Sequence, residues 1–177
     1  MKKLFALLPI ALFAGLIGLG LWGLLGQRPD RHASPLVGKP APALVLPNLA
    51  GGPAVDLSEL RGRPVLVNFY ASWCAPCRVE HPYLLALSKD RRIVLLGVAY
   101  KDEPAKTQAF LQELGDPFVA TAVDRDGRLG LDWGLTGVPE SYLIDASGTV
   151  IAKHAGPLDP ASIQSFVKPV MAASAAR

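Results

Sequence analysis

Apolar and polar positions are distributed very unevenly along this chain. From Leu4 to Gly26, "LFALLPIALFAGLIGLGLWGLLG", no residue is charged and almost none is polar. As a helix this stretch spans about 35 Å, against about 30 Å for the hydrocarbon core of a bilayer. No polar face exists at any helical period, so packing on a soluble core is a poor account of it. After Pro35 the pattern changes to short apolar runs broken by turn residues. "ALVLPNL" predicts a short strand, Gly51-Gly52 a turn, and "VDLSELRG" a helical turn closed by Gly62. "PVLVNFYA" is apolar at nearly every position and rich in β-branched residues, as a central strand buried on both faces should be. Residues 74–89 then take helical spacing, with Val79, Tyr83, Leu84 and Leu87 on one face.

"RIVLLGVAY" is a second buried strand. "EPAKTQAFLQELG" is an amphipathic helix that turns Ala109, Phe110 and Leu114 inward and stops at Gly115. "FVATAVD" is strand-like, and "DRDGRLGLDWGL" is a turn with a short helix. "ESYLIDASGTVIAKHAG" predicts two strands around Ser147-Gly148. "DPASIQSFVKPVM" opens a last helix, with Asp159 as cap and Pro160 at the first helical position. Alternating strands and helices followed by a hairpin and a helix predict an α/β fold, a mixed sheet with helices on both faces.

These patterns divide the chain. Residues 1–3 form a cytoplasmic stub, 4–26 a transmembrane signal anchor, 27–34 a polar, Pro-containing tether, and 35–177 the folded domain, with "VMAASAAR" trailing past Pro169. Lys2 and Lys3 before the span keep the N-terminus inside and export the chain beyond Arg28. A cleaved signal peptide is the other reading, but "GLLGQRPDRHASP" holds no convincing small-x-small site. Composition is that of a globular protein, 50% hydrophobic and 19% charged. The net charge of +3 does not point to nucleic acid. Lys2, Lys3, Arg28 and Arg31 flank the span, and beyond them the charge balances with no basic run longer than Arg91-Arg92.

Both cysteines lie in "NFYASWCAPCRVEHP", two residues apart. Structural zinc needs four ligands, and only His81 is close, with His32 and His154 far along the chain. A structural disulfide across so short a loop would constrain the unfolded chain very little. Two inert core cysteines remain conceivable. The context favours redox chemistry. Cys74 falls where a buried strand turns into a helix, and there the unpaired N–H groups and the macrodipole stabilise a thiolate. Pro76 suits the first turn, and Cys77 stands one turn in, placed to resolve a mixed disulfide.

"VNFYASWCAPC" resembles the active-site strand, turn and helix of the thioredoxin superfamily, and Pro82 matches the proline inside that helix. "GVPESYLID" is similar to the loop whose cis-proline faces the cysteines, which makes Val138-Pro139 the cis bond; residue type alone reads a trans-proline before a strand. "LVGKPAPALVLPNL", Glu80, "YKDE" and "GVPES" together resemble the membrane-anchored, TlpA-like thioredoxins of cytochrome c maturation, the CcmG or DsbE group. The resemblance implies a thioredoxin-like fold and a thiol–disulfide oxidoreductase at the bacterial inner membrane, facing the periplasm. It implies Cys74 as nucleophile, Cys77 as resolver, and Cys74–Cys77 as the redox-active disulfide, with no other cofactor and no metal. Asn68 stands where ordinary thioredoxins carry a buried aspartate, so the proton-handling task passes to Glu80. A partly buried carboxylate there opposes thiolate formation and points to a reductase; a solvated helix carboxylate is equally open from the residues. Trp73, Val138, Pro139 and Glu140 are the expected substrate groove, with Trp73 packed beside Cys74 or in the core, and Glu140 lining the groove or exposed at a strand end. His81 is given no catalytic role.

The implied partners are the oxidised Cys-x-x-Cys-His site of apocytochrome c, a membrane thiol donor of the DsbD or CcdA type, and the cytochrome c maturation complex. Competing readings are an oxidase or a copper-assembly reductase on the same fold, a peroxiredoxin-like peroxidase, which shares the "GKPAPALVLP" opening, and a non-catalytic chaperone or scaffold.

Overall fold

The computed structural model describes residues 34–168, together with Phe13, residues 15–18 and Gly20 in the N-terminal segment. The expected anchor over 4–26 thus falls mostly outside the described residues, as do residues 1–3, all of the tether but Ser34, and the tail beyond Lys168. Among the described residues no helix is long and apolar enough to cross a membrane.

A short antiparallel pair, β1 (Val45–Leu46) and β2 (Val55–Asp56), leads into a 3-10 turn, Leu57–Leu60, which Asp56 caps by accepting the Ser58 N–H. The main sheet comprises β3 (Val65–Tyr70), β4 (Val94–Tyr100), β5 (Ala120–Asp124), β6 (Glu140–Ile144) and β7 (Val150–Ala155). Its order is β5-β4-β3-β6-β7. β3, β4 and β5 are parallel neighbours, while β6 and β7 run antiparallel, giving the predicted mixed sheet. Every residue of β3 is buried, which is why its sequence shows no polar alternation.

The helices are α1 (Ala75–Leu87), α2 (Pro104–Leu114), α3 (Arg128–Asp132) and α4 (Pro160–Ser162), the last running on as a wider π turn over Ile163–Val167. Two cores result. Leu66, Tyr70, Leu95 and Leu143 pack against α1, α2 and the final turn through Leu84, Phe110, Leu111 and Phe166. Val67, Phe69, Val98 and Tyr142 form the other with Leu129 and Trp133. There Trp133 meets Tyr142 edge-on at 5.0 Å between centroids and Phe69 at 5.5 Å.

Two helix faces differ from expectation. In α1, Val79 is 64% exposed, and the buried stripe is Cys77, Glu80, His81, Leu84 and Leu87. In α2, Ala109 faces solvent, Leu114 is only part-buried, and Thr107 and Leu111 join Phe110 inside. Polar groups with internal partners displaced apolar ones: His81 Nε2 lies 2.8 Å from the Gly115 carbonyl oxygen, and Thr107 donates to Asp102 at 2.9 Å.

Both outer strands of the sheet carry a strip of upstream chain. Leu49 N–H donates to Thr121 O and Val123 N–H to Pro47 O along β5, each at 2.9 Å. Gly38 N–H donates to Val150 O, and Val150 N–H to Lys39 O, along β7.

Candidate active site

β3 delivers the chain to the top of the sheet, and the turn Ala71–Trp73 feeds it into α1. Asp102, just beyond β4, fixes this turn. Its carboxylate accepts the Ser72 N–H at 2.7 Å and the Ser72 hydroxyl at 2.9 Å, besides the Glu103 N–H and the Thr107 hydroxyl. It is 4% exposed, so these donors replace water. The "YKDE" motif on its own assigns Asp102 no such task. The available hint is an acidic residue just ahead of a proline-started helix.

Cys74 is the N-cap of α1, with extended backbone and with Pro76 in the first turn. Its Sγ accepts the Cys77 N–H at 3.2 Å, and its carbonyl accepts from Cys77 and Arg78. The sulfur therefore sits among the free N–H groups of the helix start, where negative charge is stabilised. Cys74 and Cys77 are joined as a disulfide and both are buried. Across from them the Val138–Pro139 bond is cis, so the trans geometry read from residue type is corrected. The Val138 carbonyl oxygen lies 3.5 Å from Cys74 Sγ.

Glu80 lies on the same face of α1 as Cys77 and is fully buried. Oε1 accepts from Asn68 Nδ2 at 2.9 Å and Oε2 accepts the Leu158 N–H at 2.8 Å. Burial pushes its carboxyl up to about 7, and the two hydrogen bonds only partly offset that. The solvated-carboxylate reading is thereby set aside. Asn68 also donates to Ser141 Oγ at 3.0 Å, which leaves its Oδ1 buried with no partner.

Trp73, adjacent to Cys74 in the chain, is 60% exposed and not in the core, with its indole N–H donating to Lys101 O at 3.2 Å. One expected groove residue stands elsewhere. Glu140 does not line the groove and is not exposed. Alternation along β6 turns it with Tyr142 to the sheet face opposite α1, where it is 1% exposed and pairs with Lys153 Nζ at 3.1 Å. Lys153 was missed because it looks like an ordinary surface lysine in β7; the β6–β7 register sets it beside Tyr142, diagonal to Glu140.

Chemically, this is a cysteine pair at a helix start with a near-neutral carboxyl behind it. The chain matches the Redoxin family model over residues 36–167. It is 41% identical over 176 residues to the thiol:disulfide interchange protein HelX of Rhodobacter capsulatus, covering 99% of both chains. It is 47% identical over 153 residues to a DsbE homolog of Paracoccus denitrificans, covering 86% of this chain and 84% of that one. Among solved structures, a thioredoxin-family thiol:disulfide interchange protein from Chlorobium tepidum superposes with a TM-score of 0.64 at 27% identity, covering 78% of this chain and 99% of that one.

Proposed function

The chain belongs to the redoxin family and is a thiol:disulfide oxidoreductase similar to HelX and DsbE, and on that premise we propose that it works as a reductase in cytochrome c maturation. Its substrate is the oxidised Cys-x-x-Cys-His segment of apocytochrome c, and its redox group is its own cysteine pair. The observation that carries the direction of the reaction is the buried Glu80, a carboxyl near 7 on the same helix face as Cys77. A strong oxidant stabilises its thiolate, whereas a carboxylate on the same buried helix face raises the cost of one.

In the reduced enzyme the Cys74 thiolate attacks one sulfur of the partner's disulfide. The partner's other sulfur leaves as a thiolate and takes a proton, and a Cys74–partner mixed disulfide forms. Glu80 takes the Cys77 proton; Cys77 attacks Cys74 Sγ and releases the second partner thiol. The partner gains two electrons and two protons, and the enzyme is left as the Cys74–Cys77 disulfide. A membrane thiol donor of the DsbD or CcdA type returns it to the dithiol. The domain does this at the outer face of the bacterial inner membrane, tethered by residues 4–26. The relatives' names speak for interchange chemistry and do not favour the peroxidase reading.

Trapping tests this. With Cys77→Ala, the mixed disulfide on Cys74 cannot resolve, and the captured polypeptide is identified by mass spectrometry. A haem-attachment segment is the expected catch; recovery of other partners without one overturns the substrate.

A further inference from the structure

We propose that Lys153 and Glu140 act as a buried clamp that positions the Val138 carbonyl against Cys74, an inference that rests on the thiol–disulfide role given to that cysteine. Each polar contact of the pair is informative. Lys153 Nζ holds Glu140 Oε2 at 3.1 Å, donates to the Gly134 carbonyl at 3.1 Å, and lies 5.3 Å from the centre of the Tyr142 ring. Glu140 Oε1 accepts both the N–H and the hydroxyl of Thr136. The Tyr142 hydroxyl donates to the Trp133 carbonyl at 2.7 Å and to Glu140 Oε2 at 3.3 Å. Trp133, Gly134 and Thr136 all belong to the irregular segment between α3 and β6 that ends in Val138 and Pro139.

A buried ion pair is poor evidence for stability, because well-packed apolar residues of similar volume serve as well. What this pair adds is direction. It presents a carboxylate and an ammonium to backbone groups of one short loop, and nothing else in that loop is regular. The loop's last carbonyl faces the nucleophilic sulfur at 3.5 Å. In the dithiol state that carbonyl accepts the Cys74 S–H, which favours thiol over thiolate. Lys153 and Glu140 touch neither sulfur, so they are positioning residues. Glu80, on the other face of the sheet, is untouched by changes to them.

The test uses the full chain, fully reduced, with iodoacetamide labelling of Cys74 and Cys77 measured separately by mass spectrometry at neutral pH. Lys153→Met removes the ammonium, and Lys153→Met with Glu140→Gln removes both charges so that none is left uncompensated. Thr136→Val removes one donor from an exposed loop position and spares the pair itself. Freed of the carbonyl, Cys74 is expected to label about two- to fivefold faster, with Cys77 unchanged, and Thr136→Val to shift the rate the same way by less. Equal acceleration at both cysteines means general loosening and overturns the clamp. Rates equal to the native protein in folded variants overturn it as well, and Thr136→Val decides the matter even if both Lys153 variants fail to fold. Native protein that is inert at Cys74 would instead remove the functional reading beneath it.

Discussion

Glu80 Oε2 accepts the backbone N–H of Leu158 at 2.8 Å, seventy-eight positions further along the chain. The bond joins the cysteine helix to the loop that leads into α4. It also buries a carboxyl whose preferred state changes near neutrality. Neutral below its usual value of 4.5 in folded and unfolded chains alike, the group costs nothing there. Between 4.5 and about 7 the unfolded chain ionises while the folded one resists, so stability falls as pH rises, by about 3 kcal/mol in all.

Glu80→Gln removes that penalty, and its new amide N–H can reach the unpartnered Oδ1 of a rotated Asn68. The variant should match the native protein in urea denaturation near pH 4.5 and exceed it by about 1–3 kcal/mol near pH 8. Its rate of disulfide reduction should drop roughly a hundredfold. An equal stability gap at both pH values would show that Glu80 does not titrate in this range.

Asp102→Ala strips the Ser72–Trp73 turn of its anchor. Four donors lose their acceptor, two of them on Ser72, so a loss of about 2–4 kcal/mol is expected in chemical denaturation. Asp102→Asn, which keeps one acceptor oxygen, should cost less than Asp102→Ala. Equal costs for the two would deny the carboxylate its fixing role.

Gly97 in β4 has no room for a side chain. A Cβ there would come within 2.8 Å of Phe118 Cδ2 and of Thr121 Oγ1. Gly97→Ala should lower stability by about 1–3 kcal/mol and leave cysteine reactivity unchanged. Differential scanning calorimetry and thiol labelling read the two effects separately.

Trp73→Ala deletes an exposed indole beside the nucleophile. Stability should change by less than about 1 kcal/mol. Turnover of a protein disulfide should suffer through KM, while reduction of a small aromatic disulfide should hold. Parallel losses on both substrates would place the indole in the chemistry rather than in docking.

Much of this was legible in the chain because it depends on local pattern. Cys74 at a strand-to-helix junction, Asp159 as a cap, and the β6–β7 turn at Ser147-Gly148 each rest on neighbours a few residues apart. What misled was distance. Val79 looks like a core residue on a helical wheel, yet the face opposite it buries Glu80 and His81, whose partners Asn68, Leu158 and Gly115 lie on other elements. Glu140 reads as a groove carboxylate from its place after Pro139; only the pleat of β6 and the diagonal Lys153 send it inside. The cis bond was carried by resemblance, since residue type spoke for trans.

The upstream strips laid along β5 and β7 have a bearing on how copies of this protein coexist. An open rim of unpaired peptide groups invites the same rim of another copy, and such pairing can propagate into fibrils. Residues 38–49 blunt both flanks of the sheet before a neighbour can. A chain begun after residue 50 would keep its cysteine pair but offer two sticky flanks, and it should precipitate where the longer chain stays dispersed.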